Sequence, residues 1–165
     1  RENLLGEEGQ GMRITLSCLA GGRIGIAAQA LGIAQAALDS SVKYSKERFQ
    51  FGQPLCELGA IQGYLADMAT QIEAARLLIY RAVVNAGNGL PSIFESSVAK
   101  CFANEIAKEV TDMALQIFGG NGYSKEFPIE RLLRDSRGWP LAGGTVQMQR
   151  INIAGSMLGR RFNQR

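Results

Sequence analysis

Apolar side chains recur at every third or fourth position along three long stretches of this 165-residue sequence, and that spacing constrains the fold more than any other feature. Such spacing places apolar side chains on one face of an α-helix. It predicts helices from about Thr15 to Arg48, Glu57 to Ala86, and Pro91 to Phe118. The expected buried face of the first helix consists of Leu16, Leu19, Ile26, Ala30, Ile33 and Ala37. Helices of about 30 residues are about 45 Å long, so short connections force antiparallel neighbours.

Turn-forming segments separate these predicted helices. The sequence FGQPL ends the first one, because Pro54 disfavours helix at the preceding residue and Gly52 can adopt a turn conformation. The sequence NAGNGLP ends the second, with Gly87 or Gly89 as the capping glycine. Pro91 suits the first position of the third helix, where its missing N–H has no helical partner in any case.

The rest of the chain predicts two shorter helices. After the break GGNGYSKEFP, a short helical piece covers about Ile129 to Asp135, and a last helix runs from about Thr145 to Arg160. We find no strand pattern longer than chance and no internal repeat. The sequence therefore predicts an all-α fold, an up-and-down four-helix bundle.

Length and composition predict one helical unit preceded by a linker. With 46% apolar and 20% charged residues, 165 residues can bury one sizeable core. The polar, turn-rich start RENLLGEEGQG argues against a signal peptide. We expect residues 1–12 to be the end of a preceding domain and residues 13–165 to be the bundle.

Charge and residue usage exclude several classes of function. The formal net charge of +3 is spread along the chain, which is typical of a solvated surface and not of a nucleic-acid interface. No histidine occurs, so no His-based nucleophile and no metal site are expected. The three cysteines lie far apart, as reduced thiols of an intracellular protein do. Arg23 and Gln29 interrupt the apolar run from Ile14 to Leu38, which argues against a membrane span.

Three motifs at helix ends could form sites: ERFQFG (47–52), QIFGGNGY (116–123) and AGGT-Q (142–147). Each also has an ordinary structural explanation. Arg48 can be a cation near a helix C-terminus, Gly119 and Gly120 a C-cap, and Thr145 an N-cap. Two further glycine motifs, GGRIG and GEEGQG, follow no strand and lack the Lys-Ser/Thr ending of a phosphate loop, which favours packing or turns over nucleotide binding.

The order of these motifs resembles the C-terminal domain of the acyl-CoA dehydrogenase flavoproteins over essentially the whole chain. ENLLGEEGQGM is similar to the segment by which that family leaves its middle β-domain. GRIGIAAQALGIAQAALDSSVKYSKERFQFGQPL resembles its first long C-terminal helix and the following turn. LADMATQIEAARLL, QIFGGNGY, ERLLRDSR and GGTVQMQR then follow in the family order. Over residues 23–40 the resemblance is closest to the short-chain branch.

This resemblance implies FAD as a cofactor shared between subunits, and hence a homo-oligomer, either a dimer or a tetramer built as a dimer of dimers. The positions that match contacts to the FAD of a neighbouring subunit are Arg48, Gln50, Phe51, Gln116 and Gly120. Those that match contacts to the chain's own FAD are Thr145 and Gln147. A guanidinium suits a diphosphate, a helix N-terminus suits the same anion, and glycine lets the backbone approach closely.

The resemblance also implies an acyl-CoA substrate that lies near Arg23, Ala142 and Gly143. Its α,β-oxidation transfers a hydride to the flavin and needs a carboxylate base within hydrogen-bond reach of the α-carbon. Most members carry a Glu at the position of Gly143, and a minority carry it at the position of Gly22. Both are glycine here. No catalytic residue is therefore assigned.

Several explanations of the missing base remain open. One explanation places the base in another domain or in a partner subunit. The others are that the reaction is enoyl-CoA reduction or an oxygen-dependent monooxygenation, or that the chain is a non-catalytic flavin-binding and oligomerisation subunit. The family further implies an electron-transferring flavoprotein as a possible electron acceptor, and a cytoplasmic location, or the mitochondrial matrix in a eukaryote.

Overall fold

The computed structural model describes residues 3–162, and their secondary structure is almost entirely helical. Its five α-helices are α1 (Gly11–Glu47), α2 (Gly59–Ala86), α3 (Ile93–Phe118), α4 (Ile129–Gly138) and α5 (Val146–Met157). The prediction of an all-α bundle is confirmed. Helix α1 begins two residues before residue 13, and the assignment of residues 1–12 to a preceding domain stays a prediction.

The three long helices run up, down and up, and α3 is the central one. Tyr44 near the end of α1 stacks on Phe118 at the end of α3, so these two helices are parallel. Helix α2 lies antiparallel to α3, because the end of α2 meets the start of α3 at Asn85 and Glu95 while Gln71 reaches Glu109, and it is therefore antiparallel to α1 as well. Helix α4 returns along α3, as the contact between the hydroxyls of Thr111 and Ser136 shows at 3.0 Å. Helix α5 packs against the N-terminal half of α3, where Asn152 Nδ2 donates to Ser97 Oγ at 3.4 Å.

Helices α1 and α3 pack against each other, and both carry alanines with no exposed surface. These alanines are Ala27, Ala30, Ala34 and Ala37 on α1, and Ala99, Ala103, Ala107 and Ala114 on α3. Small side chains let two helix backbones approach closely, which excludes larger residues from the seam. The predicted face of α1 is therefore only partly right: Ala30 and Ala37 are buried, whereas Leu16 is 46% exposed. Ile26 and Ile33 lie half-buried at the margin.

The helix ends follow capping chemistry. Ser92 is the N-cap of α3 and accepts a hydrogen bond from the backbone N–H of Glu95 at 3.1 Å. The prediction of Pro91 as the first helical residue was wrong, because this serine places the proline one residue outside the helix. Gly87 and Gly119, both with positive φ, end α2 and α3. The last helix ends at Met157, before the predicted Arg160.

A minimal hairpin joins α1 to α2, although the sequence showed no strand pattern. Strand β1 (Phe49–Gln50) pairs antiparallel with β2 (Gln53–Pro54). Two residues per strand are too few to show an alternating pattern. Gly52 supports the reversal with φ of +81°.

Helix α1 is long and apolar enough to pass a composition test for a membrane span, with a mean hydropathy of 1.3 over its most apolar window. In the bundle it packs against both α2 and α3. The core helix of a bundle needs the same composition, since it contacts neighbours on two sides. The expectation of no membrane span stays a prediction.

We predict that Ala34→Leu destabilises the bundle by about 1–3 kcal/mol, because the added atoms overpack a wholly buried seam. Ala36→Leu on the exposed side of the same helix is the matched control and should change stability little, since Ala and Leu are both strong helix formers. Urea unfolding measures both. Equal effects would contradict close packing along this seam.

Candidate functional site

A cleft of about 280 Å³ lies where the parallel helices α1 and α3 end side by side. We call it the Arg48 cleft; its lining includes Tyr44, Arg48, Gln50, Gly119, Gly120 and Asn121. The stacked rings of Tyr44 and Phe118, with centroids 4.0 Å apart, form its floor. Asn121 Nδ2 donates to the Tyr44 hydroxyl at 2.8 Å and fixes the turn after α3. The structure thus brings together three of the predicted cofactor contacts, Arg48, Gln50 and Gly120.

Backbone geometry presents Arg48 at the mouth of this cleft. Its N–H donates to the carbonyl of Tyr44 at 2.9 Å, and its own carbonyl accepts from the N–H of Leu55 at 2.9 Å. The backbone is therefore fixed while the side chain is exposed. Among the described residues its guanidinium has no carboxylate within 4 Å. Its donors are available to an anion.

The other predicted residues of this end surround the cleft. Phe51 projects from the hairpin turn, 89% exposed and with φ of +54°, an unusual conformation for a non-glycine residue. Gln116 is exposed one turn before Gly120. An added Cβ at Gly119 or Gly120 would meet no atom within 4 Å, so the backbone here is open to a ligand. These features leave room for a large polar molecule.

The second region is a turn before α5 that we call the glycine corner, Gly143 and Gly144. Both residues have positive φ, +59° and +89°, which favours glycine. Thr145 caps α5 by accepting a hydrogen bond from the N–H of Met148 at 3.3 Å, as predicted. Gln147 is exposed on the first turn of the helix, and Ala142 is half-buried just before the corner.

Buried polar side chains hold the glycine corner against α3. Lys100 Nζ donates to the carbonyl of Gly144 at 2.7 Å, and Gln149 Nε2 donates to the same oxygen at 2.9 Å. Asn104 Nδ2 reaches the carbonyl of Trp139 at 3.4 Å. All three side chains are wholly buried. The corner is therefore fixed by hydrogen bonds and not only by its own turn.

Two cations lie beneath the corner. Arg23 on α1 is 8% exposed, and its Nε has no hydrogen-bond partner. Burial lowers the pKa of Arg23. Burial, and then the charge of Arg23, lowers the pKa of Lys100. Within residues 3–162 neither side chain forms an ion pair. That Arg23 belongs to a site stays a prediction; the charge of Arg23 acts on Lys100.

The sequence interpretation missed Lys100, Asn104 and Gln149. A signal was present: Ser97, Lys100, Asn104 and Thr111 follow the helical spacing of three, four and seven residues, so they share one face of α3. All four are wholly buried, and we call them the polar stripe. A helix with a polar face usually turns it to solvent, and only the packing of α4 and α5 shows that this face is covered.

The two positions where the resemblance implies a base differ in space. An added Cβ at Gly22 on α1 would meet no atom within 4 Å. An added Cβ at Gly143 would overlap the Cδ1 atom of Ile26, and φ there is already unfavourable for a side chain. Gly22 could thus accept a larger residue without repacking, whereas Gly143 could not.

The Arg48 cleft and the glycine corner lie far apart. Helix α3 contacts the first at Phe118 and the second at Lys100. Eighteen residues of helix correspond to about 27 Å. The structure therefore divides the predicted cofactor contacts into two groups at different ends of the molecule.

Comparison with known proteins places this fold. The family model described as acyl-CoA dehydrogenase, C-terminal domain, matches residues 9–158. The chain superposes on butyryl-CoA dehydrogenase from Megasphaera elsdenii with a TM-score of 0.93 at 50% identity, over 95% of the chain and 41% of that structure. The fold is thus that of a C-terminal helical domain of dehydrogenases. The chain belongs to the acyl-CoA dehydrogenase family, which confirms the resemblance.

Two curated relatives refine this result. Over 157 residues the chain is 50% identical to the short-chain specific acyl-CoA dehydrogenase of Megasphaera elsdenii. The aligned residues are 95% of the chain and 41% of the relative. Over 158 residues it is 47% identical to acryloyl-CoA reductase (NADH) of Anaerotignum propionicum. Here the aligned residues are 96% of the chain and 40% of the relative. The chain spans about two fifths of the length of these relatives.

We predict that Lys100→Met leaves the bundle at least as stable at pH 7. The change removes a buried charge, and the Gly144 carbonyl keeps its bond from Gln149. The lowered pKa of Lys100 means that the folded chain releases this proton at lower pH than the unfolded chain. The free energy of unfolding of the native chain should therefore rise, relative to that of Lys100→Met, as the pH increases from the lowered pKa of Lys100 towards 10.5.

Urea unfolding across this pH range tests that prediction. Lys108→Met is the control, because Lys108 on the same helix is partly exposed and pairs with Glu105 at 3.1 Å. A loss of more than about 2 kcal/mol in Lys100→Met would show instead that the Lys100 hydrogen bond is a main stabiliser of the corner.

Proposed function

We propose that this chain is the C-terminal part of an FAD-dependent oxidoreductase that acts on acyl-CoA thioesters, of the acyl-CoA dehydrogenase type. The observation that carries the proposal is the pair of anion-compatible helix-end regions about 27 Å apart on α3. One FAD molecule can contact the first region on one chain and the second region on another chain. Two copies of the chain, each offering one region, complete a dinucleotide site between subunits. The activity is therefore proposed for the assembled enzyme and not for the isolated domain.

The Arg48 cleft fits the FAD of a neighbouring subunit. The exposed guanidinium of Arg48 offers several donors to a diphosphate, and the open backbone at Gly120 permits close approach. Gln50 and Gln116 add side-chain amides at the rim, and Phe51 adds an exposed aromatic ring. Each of these contacts is a proposal that the open geometry supports.

The glycine corner fits the FAD of the chain itself. Thr145 is the N-cap of α5 and Gln147 lies on its first turn, where N–H groups without helical partners and the helix dipole favour an anion. When bound, FAD would exchange a hydride with the β-carbon of the acyl group. The chain's own contribution is to bind and orient the two ligands, with Arg23, Ala142 and Gly143 nearest the thioester.

The proton chemistry at the α-carbon has no assigned group. A positioned general base contributes about 10²–10⁴ in rate, and Gly22 and Gly143 have no side chain to supply one. A base from another domain or a partner subunit is compatible with dehydrogenation. Enoyl-CoA reduction is the second candidate, because the 47% identical relative is an acryloyl-CoA reductase and this chain lacks the carboxylate at both positions.

Helix α2 has a surface that supports the proposed assembly. An apolar face of this helix is exposed; it consists of Leu77, Tyr80, Val83 and Val84. Exposed apolar faces of this size mark contacts with another domain or subunit. We propose that the enzyme is a homo-oligomer, either a dimer or a tetramer. An electron-transferring flavoprotein is the candidate electron acceptor. The enzyme is proposed to lie in the cytoplasm, or in the mitochondrial matrix of a eukaryote.

We predict that Arg48→Ala weakens FAD binding by the holoenzyme about 10- to 100-fold, since a hydrogen bond to a charged group is worth about 1.5–3 kcal/mol. The flavin absorbance retained after dialysis and a titration with FAD measure this loss. Lys46→Ala, at an exposed lysine of the same helix turn, is the control and should bind normally. Unchanged affinity in Arg48→Ala would remove this residue from the cofactor site.

We predict that Gly143→Glu accelerates flavin reduction by a saturated acyl-CoA about 10²–10⁴-fold over Gly143→Gln, because only the first supplies a base. Both variants should lose about 1–3 kcal/mol of stability from the strained φ and the contact with Ile26. Anaerobic stopped-flow absorbance gives the rates, and Ile26→Ala in both variants relieves the overlap. If the native enzyme already reduces its flavin as fast as Gly143→Glu does, its base lies outside the positions of Gly22 and Gly143.

A further inference from the structure

Lys100 is a buried charge that the stability of the bundle does not explain. Its side chain is wholly buried, and its hydrogen bond goes to the carbonyl of Gly144 at 2.7 Å. That carbonyl already accepts from Gln149 at 2.9 Å, so it would stay satisfied without the lysine. Burial of an ammonium group without an anionic partner opposes folding. A cost of this kind is typical of functional positions.

The surroundings of Lys100 make the corner positive. Arg23 on α1 is near enough for its charge to lower the pKa of Lys100, and it also lacks a carboxylate partner in residues 3–162. On its own helix the adjacent group is Cys101, whose pKa is raised by burial. From α5, Arg150 lies 3.6 Å from Glu105 and balances that carboxylate. Within the described part of the chain, no carboxylate lies within 4 Å of either cation.

We propose that Lys100 is a positioning residue of the acyl-CoA site: it fixes the Gly144 carbonyl and places a positive charge behind the glycine corner, which stabilises the enolate of a bound thioester. The inference rests on the proposed function and deepens it. Loss of the α-proton leaves an electron pair on the acyl group. Charges held in place before that step stabilise the anion without reorganisation.

The hydrogen bond also transmits polarity to the next peptide group. The carbonyl of Gly144 and the N–H of Thr145 belong to one amide. A cation that binds the oxygen polarises the amide and makes its N–H a stronger donor. Lys100 therefore strengthens the N–H donor of Thr145, the N-cap of α5, as well as the field at the corner. In a chain with glycine at both base positions, a more acidic α-carbon lowers the demand on any base.

The test uses acetoacetyl-CoA and the flavin-loaded enzyme that contains this chain. This probe ionises at its α-carbon, releasing a proton to the buffer and keeping the electron pair as an enolate. The bound enolate gives a long-wavelength charge-transfer band with oxidised flavin, so titration with pH yields the pKa of the bound ligand. This readout needs no turnover. The variants are Lys100→Met, Lys100→Gln and Lys100→Arg, with Lys108→Met as the matched control on the same helix.

We expect the ligand pKa to rise by about one unit, a tenfold loss of enolate stabilisation, in Lys100→Met and Lys100→Gln. Lys100→Arg should restore most of the lost enolate stabilisation, and Lys108→Met should leave the ligand pKa unchanged. An unchanged ligand pKa in Lys100→Met would overturn the inference, and so would an equal rise in Lys100→Arg, because a charge effect requires rescue by charge. If the native enzyme binds flavin but gives no band with this thioester, the proposed function fails and the inference fails with it.

Discussion

The polar stripe of α3 is the feature on which the rest of the molecule depends. Helices α1, α2 and α3 pack together mainly through buried alanines and larger apolar side chains. The segment from Ser136 to Asn152 is fastened differently, through hydrogen bonds to Thr111, Lys100 and Ser97. Directional bonds of this kind fix position more narrowly than apolar contacts do, because a hydrogen bond weakens steeply as its geometry departs from linear.

Apolar contacts and the polar stripe each determine one of the two candidate regions. The apolar seams determine that α1 and α3 end together, which creates the Arg48 cleft and exposes its guanidinium. The polar stripe determines where the glycine corner lies and how Thr145 begins α5. The two regions lie at different ends of α3, about 27 Å apart along the helix. The proposed cofactor site therefore draws its two parts from two copies of the chain.

Much of the fold could be predicted because helix periodicity and turn residues are local signals. The end of α2 at Ala86 and the cap at Thr145 followed from them directly. The buried face of α1 did not, because the sequence cannot say how closely two helices approach, and close approach selects alanine over leucine. The hairpin at Phe49–Pro54 was missed because two residues per strand leave no periodic trace. Lys100 was missed because a polar residue in a helix is normally exposed.

The sequence by itself determined the class of the molecule: long amphipathic helices, glycine breaks, motifs in a family order, and glycine at both positions where a base is expected. Only the tertiary structure decided that Gly22 is open while Gly143 is closed by Ile26, and that Lys100 is buried beside Arg23. The physical reason is that residue identity and helix periodicity are properties of the local chain. Burial, charge pairing and free space depend on which helices pack together.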